Sequence, residues 1–171
     1  MNRVYGVLTD YASVREDESR TIVSYGLTKV DKSHYEWYEV YIYKKQHPNV
    51  SVDEVKKAVL ADIDARTDEK ILCGFVWTPE GAEAGINVWL SAENQRNFSE
   101  AQRMAAANPN ILPLTFKLGE DAEGLPVYHT FESAEELNAF YFSAFAYIKQ
   151  CLDEGWAEKD AIDMSVYDRQ P

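Results

Sequence analysis

The sequence predicts an α+β fold in which a strand-rich region comes first and two β-hairpins and about three α-helices follow. Residues 1–50 contain three runs rich in β-branched and aromatic residues, a composition typical of strands. Ser51 and Ser133 each stand three residues before a glutamate and open an apolar stripe at helical spacing, as in a capping box. Short apolar runs separated by glycine-containing turns indicate the hairpins.

The strand-rich region is predicted to hold three strands and one polar loop: strands over residues 3–8, 21–29 and 34–43, and the loop over residues 15–20. At period two the third strand has one largely aromatic face: Tyr35, Trp37, Glu39, Tyr41 and Tyr43. Its other face carries Tyr38, Val40 and Ile42 and is predicted to be core. The aromatic face is either buried under a helix or a second sheet, or exposed as a surface that meets a partner.

A domain boundary is predicted near residue 50. Pro48 cannot continue a strand, because proline has no backbone N–H to donate. Residues 1–50 then form the strand-rich region and residues 51–171 an α+β domain, either as separate units or as one continuous unit.

The second region is predicted to alternate helices with hairpins. Its elements, in chain order, are a helix over 51–66, a hairpin pairing 71–77 with 86–90, a helix over 91–105, a hairpin pairing 112–118 with 125–131, and a helix over 133–155. Gly155 is predicted to end the last helix, followed by a short helical turn over 157–162. The tail over residues 167–171 is predicted to be loose.

The charge of the chain argues against two classes of partner. Its 171 residues carry 17 basic and 29 acidic side chains, and the net charge of −12 repels phosphate backbones and anionic lipid surfaces. No apolar stretch approaches the roughly 18 residues of a membrane span, and the first residues lack the apolar core of a signal peptide. We therefore expect no nucleic-acid partner and no membrane partner. Cys73 and Cys151, both predicted to be buried as reduced thiols, fit a cytoplasmic protein.

Residues that carry catalytic chemistry do not form a recognisable site in the sequence. The histidines lie far apart, without the spacing of zinc ligands. A calcium loop beginning at Asp62 fails, because Cys73 stands where a bidentate glutamate is required. A cysteine nucleophile with His129 as its base is disfavoured by the predicted burial of both thiols, and a catalytic carboxylate pair stays an open alternative. We expect no catalytic residue, no cofactor and no metal.

Two segments of the second region carry a family resemblance. Gly74-Phe75-Val76-Trp77 and the later run Ser91-Ala92-Glu93-Asn94-Gln95, with the stretches around them, resemble a domain of unknown function that recurs in bacteriophage and prophage tail-region genes. The resemblance covers residues 51–165 and leaves the strand-rich beginning unmatched. It implies a hairpin, a helix that starts at Ser91 and a long closing helix, with no activity attached. Glu93, Asn94 and Gln95 are candidates for a polar binding role at that helix start.

These observations favour a non-enzymatic structural or assembly protein of a phage or prophage, associated with the tail or tail fibre, in the host cytoplasm or the virion. Its expected partners are tail proteins or further copies of itself, met through the candidate residues Tyr35, Trp37, Tyr41, Tyr43, Glu93, Asn94 and Gln95. One alternative is a carbohydrate-binding module that uses the Tyr/Trp strand face. Another is an unrecognised hydrolase.

Overall fold

A computed structural model describes residues 2–47 and 49–168 and confirms the α+β class. The strands, in chain order, are β1 (Arg3–Val7), β2 (Val14–Glu16), β3 (Arg20–Lys29), β4 (His34–Tyr43), β5 (Phe75–Trp77), β6 (Ile86–Val88), β7 (Leu114–Glu120) and β8 (Pro126–Phe131). The α-helices are α1 (Val52–Cys73), α2 (Ala92–Ala107) and α3 (Ala134–Ala161). Short 3-10 helices cover Leu8–Asp10, Pro109–Ile111 and Met164–Tyr167. None of the described helices is long and apolar enough to cross a bilayer.

The first of two compact units comprises Met1–Arg66 together with Gly155–Pro171. Its antiparallel sheet has the strand order β1-β4-β3-β2, in which the long strands β3 and β4 occupy the centre. The core of this unit contains residues from the sheet, from α1 and from the end of the chain: Val23, Tyr25, Ile42, Val55, Val59, Ile63 and Tyr167. Its α1 members recur at helical spacing, so one stripe of that helix is buried.

Two predictions for this unit are wrong. Residues 15–20 were expected to be a loop, but Arg15 and Glu16 belong to β2, which pairs with β3. The tail was expected to be loose from residue 167, but Tyr167 is 1% exposed and its hydroxyl donates to the Ser24 carbonyl oxygen over 3.0 Å. A large aromatic ring with a hydrogen-bond partner for its hydroxyl is a favourable core residue. Residues 169–171 of the predicted tail lie outside the described part of the chain.

The second unit, Thr67–Glu154, holds both predicted hairpins around an aromatic core. Strand β5 pairs with β6, and β7 pairs with β8. The core contains residues from the end of α1, from these strands, from the segment after β6, from α2 and from α3: Ile71, Trp77, Val88, Leu90, Phe98, Leu118, Phe131, Leu137 and Phe140. The two units are not divided at residue 50, where a domain boundary was predicted from the sequence, and that boundary stays a prediction.

Two glycines have structural roles that differ from those predicted from the sequence. Residues 71–73 were predicted to begin a strand, but they form the last turn of α1, which ends at Gly74 with a φ of +78°. Only glycine adopts this left-handed conformation without steric cost, and it is the usual way to end a helix. Gly155 was predicted to end a helix, but it lies inside α3 and is buried.

The capping box predicted at the start of α1 is confirmed. Ser51 Oγ accepts from the backbone N–H of Glu54 over 3.3 Å, and Glu54 Oε2 accepts from the backbone N–H of Ser51 over 2.8 Å. The imidazole of His47 lies 2.9 Å from Glu54 Oε1. The backbone and hydroxyl of Ser51, with His47, lower the pKa of Glu54 to about 2.

Replacing Glu54 with glutamine is expected to change how stability depends on pH. A carboxylate with a depressed pKa stabilises the folded state above its unfolded pKa near 4.5, and this contribution is lost as pH falls toward about 2. Glu54→Gln should therefore melt at a lower temperature at neutral pH. Its melting temperature should also fall less steeply than that of the wild type between these two pH values, measured by circular dichroism.

Asp53→Asn is the matched control for this prediction. Asp53 lies in the same first turn of α1, and the described residues offer its carboxylate no hydrogen bond. The control should keep the acid dependence of the wild type. Parallel melting curves for Glu54→Gln and the wild type across this range would contradict the assignment.

Candidate functional site

The second unit contains a groove of about 710 Å³ between β5 and the first turns of α3. Val76, which is 70% exposed, and Trp77 form its apolar wall. Glu80, Glu135 and Glu136 supply carboxylates. Among the described residues that line it there is no lysine or arginine. The groove therefore places negative charge beside apolar surface.

A histidine–carboxylate pair adjoins the groove. His129 Nε2 lies 2.8 Å from Glu136 Oε1, and the two side chains are 19% and 29% exposed. The edge of the His129 ring meets Trp77, with ring centroids 4.9 Å apart. These contacts hold Trp77 against two side chains that lie more than 50 residues later in the chain, so this wall of the groove is preorganised for binding.

The local sequence explains why Glu136 lies where it does. Ser133 precedes α3, and its Oγ accepts from the Glu136 backbone N–H over 3.1 Å. This serine hydrogen bond of the predicted capping box is confirmed. The returning hydrogen bond of the glutamate goes to a neighbouring residue, because Glu136 Oε2 accepts from the backbone N–H of Glu132 over 3.1 Å. The helix start thus holds one oxygen of Glu136, and His129 holds the other.

The aromatic strand face of β4 is divided between core and surface. Trp37 is 1% exposed, whereas Tyr35 and Tyr41 are half-buried and Tyr43 is 51% exposed. The Tyr41 ring lies under the Arg20 guanidinium, 4.1 Å from its carbon to the ring centroid. Trp37 offers no exposed ring to a partner in this conformation. The four candidate rings therefore do not form one continuous exposed surface.

A buried carboxylate, which sequence reasoning missed, organises this face. Glu39 is 4% exposed and accepts from Trp37 Nε1 over 3.1 Å and from the Tyr41 hydroxyl over 3.2 Å. Arg15 of β2 forms an ion pair with it over 2.8 Å. Buried charges persist where they are paired and hydrogen-bonded, as here. The sequence signal that could have revealed this buried carboxylate is a glutamate that lies between two aromatic residues on the same face of β4.

The candidates Glu93, Asn94 and Gln95 lie at the start of α2, where Ser91 caps the helix as predicted. Asn94 Nδ2 donates to the Trp89 carbonyl oxygen over 3.0 Å, and Gln95 Nε2 donates to that of Leu90 over 2.7 Å. Two of the three side chains thus donate hydrogen bonds to backbone carbonyl groups of the segment that precedes the helix. Glu93 is exposed.

The cysteines differ from each other. Cys151 is buried, as predicted, but Cys73 is exposed because α1 extends to it and turns it away from the core. The prediction of two buried thiols is therefore wrong for Cys73. Among the described residues, no three His, Cys, Asp or Glu side chains converge as metal ligands would.

Arg66 forms a second polar cluster, in the first unit. It is 13% exposed, its Nη2 donates to the Tyr25 hydroxyl over 3.1 Å, and it pairs with Glu158. Its guanidinium also stacks 4.0 Å from the ring centroid of Tyr38. Burial, together with a hydrogen bond to Asp62, raises the pKa of Tyr25. Arg66 therefore points inward, toward the aromatic rings of Tyr25 and Tyr38.

Comparison with known proteins identifies one family. Residues 54–169 match the family described as "Domain of unknown function (DUF4376)". This match includes both hairpins and the groove, and it confirms the resemblance to a domain of unknown function. No curated protein and no solved structure matches the chain.

Proposed function

We propose that this chain, which belongs to the DUF4376 family, is a non-enzymatic assembly protein that binds a basic segment of another protein in the groove of its second unit. The observation that carries the proposal is the charge of the groove. Three carboxylates line it next to the apolar wall of Val76 and Trp77, and its described lining residues include no lysine or arginine. A lysine or arginine side chain, with an aliphatic stem and a cationic head, complements both surfaces.

The resemblance to phage and prophage tail-region genes supports the choice of partner. We propose that the chain takes part in building a tail or tail fibre, in the host cytoplasm or the virion. The −12 net charge acts in the same direction, because it steers basic partners toward the chain. A carbohydrate-binding strand face is not favoured, since Trp37, the central ring of that ladder, is buried.

Neutralising the groove is expected to weaken partner binding. In Glu80→Gln/Glu135→Gln the two exposed carboxylates of the groove lose their charge while the side-chain shape is kept. We expect binding about fivefold weaker, because two exposed charge pairs together contribute about 1 kcal/mol. The measurement is calorimetric titration with short overlapping peptides from the products of neighbouring genes.

Glu18→Gln/Glu123→Gln is the matched control, because it removes the same total charge from two exposed positions away from the groove. It should bind like the wild type. Peptides that bind both double variants equally would place the contact elsewhere. Turnover of a small compound that depends on His129 or Glu136 would contradict the non-enzymatic part of the proposal.

A further inference from the structure

The outer edge of β1 is a free edge of the four-stranded sheet. The strand order β1-β4-β3-β2 gives β1 one neighbour, β4, and within residues 2–47 and 49–168 no strand lies on its other side. The opposite edge, β2, is only three residues long, whereas β1 has five. A free edge presents backbone N–H and C=O groups that another strand can bind.

The register shows which groups face outward. Glu39 N donates to the Asn2 carbonyl oxygen over 2.9 Å, so Asn2 and Glu39 form a hydrogen-bonded pair. Such pairs alternate along an antiparallel ladder, so Val4 and Gly6 also bond to β4. The backbone groups of Arg3 and Tyr5 therefore point away from the sheet, and no described residue pairs with them.

One end of this edge is already covered. The outward N–H of Val7 donates to Asp10 Oδ2 over 3.2 Å, because the 3-10 helix Leu8–Asp10 turns the chain back toward the strand. The uncovered stretch therefore runs from Arg3 to Tyr5.

This stretch is self-complementary. If two copies align antiparallel about Val4, Arg3 of each copy lies opposite Tyr5 of the other, and each such pair exchanges both of its backbone hydrogen bonds. This register leaves the bond between Val7 and Asp10 intact. A register centred on Tyr5 would instead require the backbone N–H of Val7, which is already bonded to Asp10.

The side chains match in the same register. Arg3 and Tyr5 lie on one face of the sheet, with the Arg3 side chain 57% and Tyr5 59% exposed. The alignment sets the cation of one copy beside the ring of the other, and Val4 beside Val4 on the opposite face. No like charges stand directly opposite each other.

We infer that the edge of β1 binds the same edge of a second copy of this chain, joining two sheets into one continuous sheet. The contact is separate from the groove and does not depend on the proposed function. Its short length makes the association weak and dependent on concentration.

Tyr5→Pro tests the inference in the full chain. Proline removes the outward N–H of residue 5 without removing a bond to β4, a position where edge strands tolerate it. Tyr5→Thr also lacks the ring but keeps the N–H, so it is the matched control. In sedimentation velocity the wild type should shift from 19.5 kDa toward twice that mass as concentration rises. Tyr5→Pro should associate at least tenfold more weakly than Tyr5→Thr.

Hydrogen exchange of the wild type keeps the test decisive if Tyr5→Pro folds poorly. The amides of Arg3 and Tyr5 should become protected as concentration rises, while that of the already bonded Gly6 changes little. A wild type that stays at 19.5 kDa up to millimolar concentration would overturn the inference. So would self-association that leaves both outward amides unprotected.

Discussion

Replacing Phe140 with alanine is expected to lower the free energy of unfolding by about 3–5 kcal/mol. Phe140 is fully buried, and its ring centroid lies 4.9 Å from those of Trp77, Phe98 and Phe131. Truncation therefore leaves a cavity among large rigid rings that cannot collapse to fill it. Urea denaturation followed by circular dichroism measures the loss.

Phe142→Ala is the matched control, because it makes the same chemical change two residues further along α3. Phe142 is 61% exposed, so its truncation should change stability by about 0.5 kcal/mol or less. A similar loss for both variants would mean that the aromatic cluster around Phe140 is not the core of the second unit.

Replacing Gly74 with alanine is expected to cost about 3 kcal/mol or more. A Cβ at this position would lie 1.8 Å from the Val88 carbonyl oxygen, a contact that only a backbone shift relieves. The φ of +78° adds about 1–2 kcal/mol of strain for any residue with a Cβ. Because Val88 belongs to β6, the shift would separate the end of α1 from the hairpin. Thermal and urea denaturation measure the effect.

Gly81→Ala separates the steric clash with Val88 from the backbone strain caused by a positive φ. Gly81 has nearly the same φ, +77°, but a Cβ there would meet nothing within 4 Å. The control should therefore lose only the conformational part, about 1–2 kcal/mol. Equal losses at the two glycines would show that close approach to Val88 contributes nothing.

Local signals in the sequence located most of the elements but not their ends. Ser51 and Ser133 announce helix starts because a hydroxyl and a glutamate satisfy free N–H groups within one turn. Helix ends depend on contacts that lie far along the chain. Gly74 ends α1 where Val88 approaches, and Gly155 continues α3 inside a core, although both are glycines near the end of a periodic stripe.

The candidate groove was beyond the reach of sequence patterns for a similar reason. Its walls come from β5 and from the start of α3, about 60 residues apart, and no periodicity connects them. The aromatic face of β4 was visible as a pattern, yet the pattern did not reveal that Arg15 would reach Glu39 and allow Trp37 to be buried. Burial on a second face depends on what covers it, and this is a tertiary property.

Trp37 and Trp77 give each compact unit a buried tryptophan whose fluorescence reports the unfolding of that unit. Both indoles are buried, one in each unit, whereas Trp89 and Trp156 are 36% and 52% exposed. Phenylalanine at the two exposed positions would leave one tryptophan per unit, and replacing one of these two as well would isolate the tryptophan fluorescence of the other unit. If the two fluorescence transitions coincide, the two units unfold cooperatively as one. If they occur at different temperatures, each unit unfolds independently.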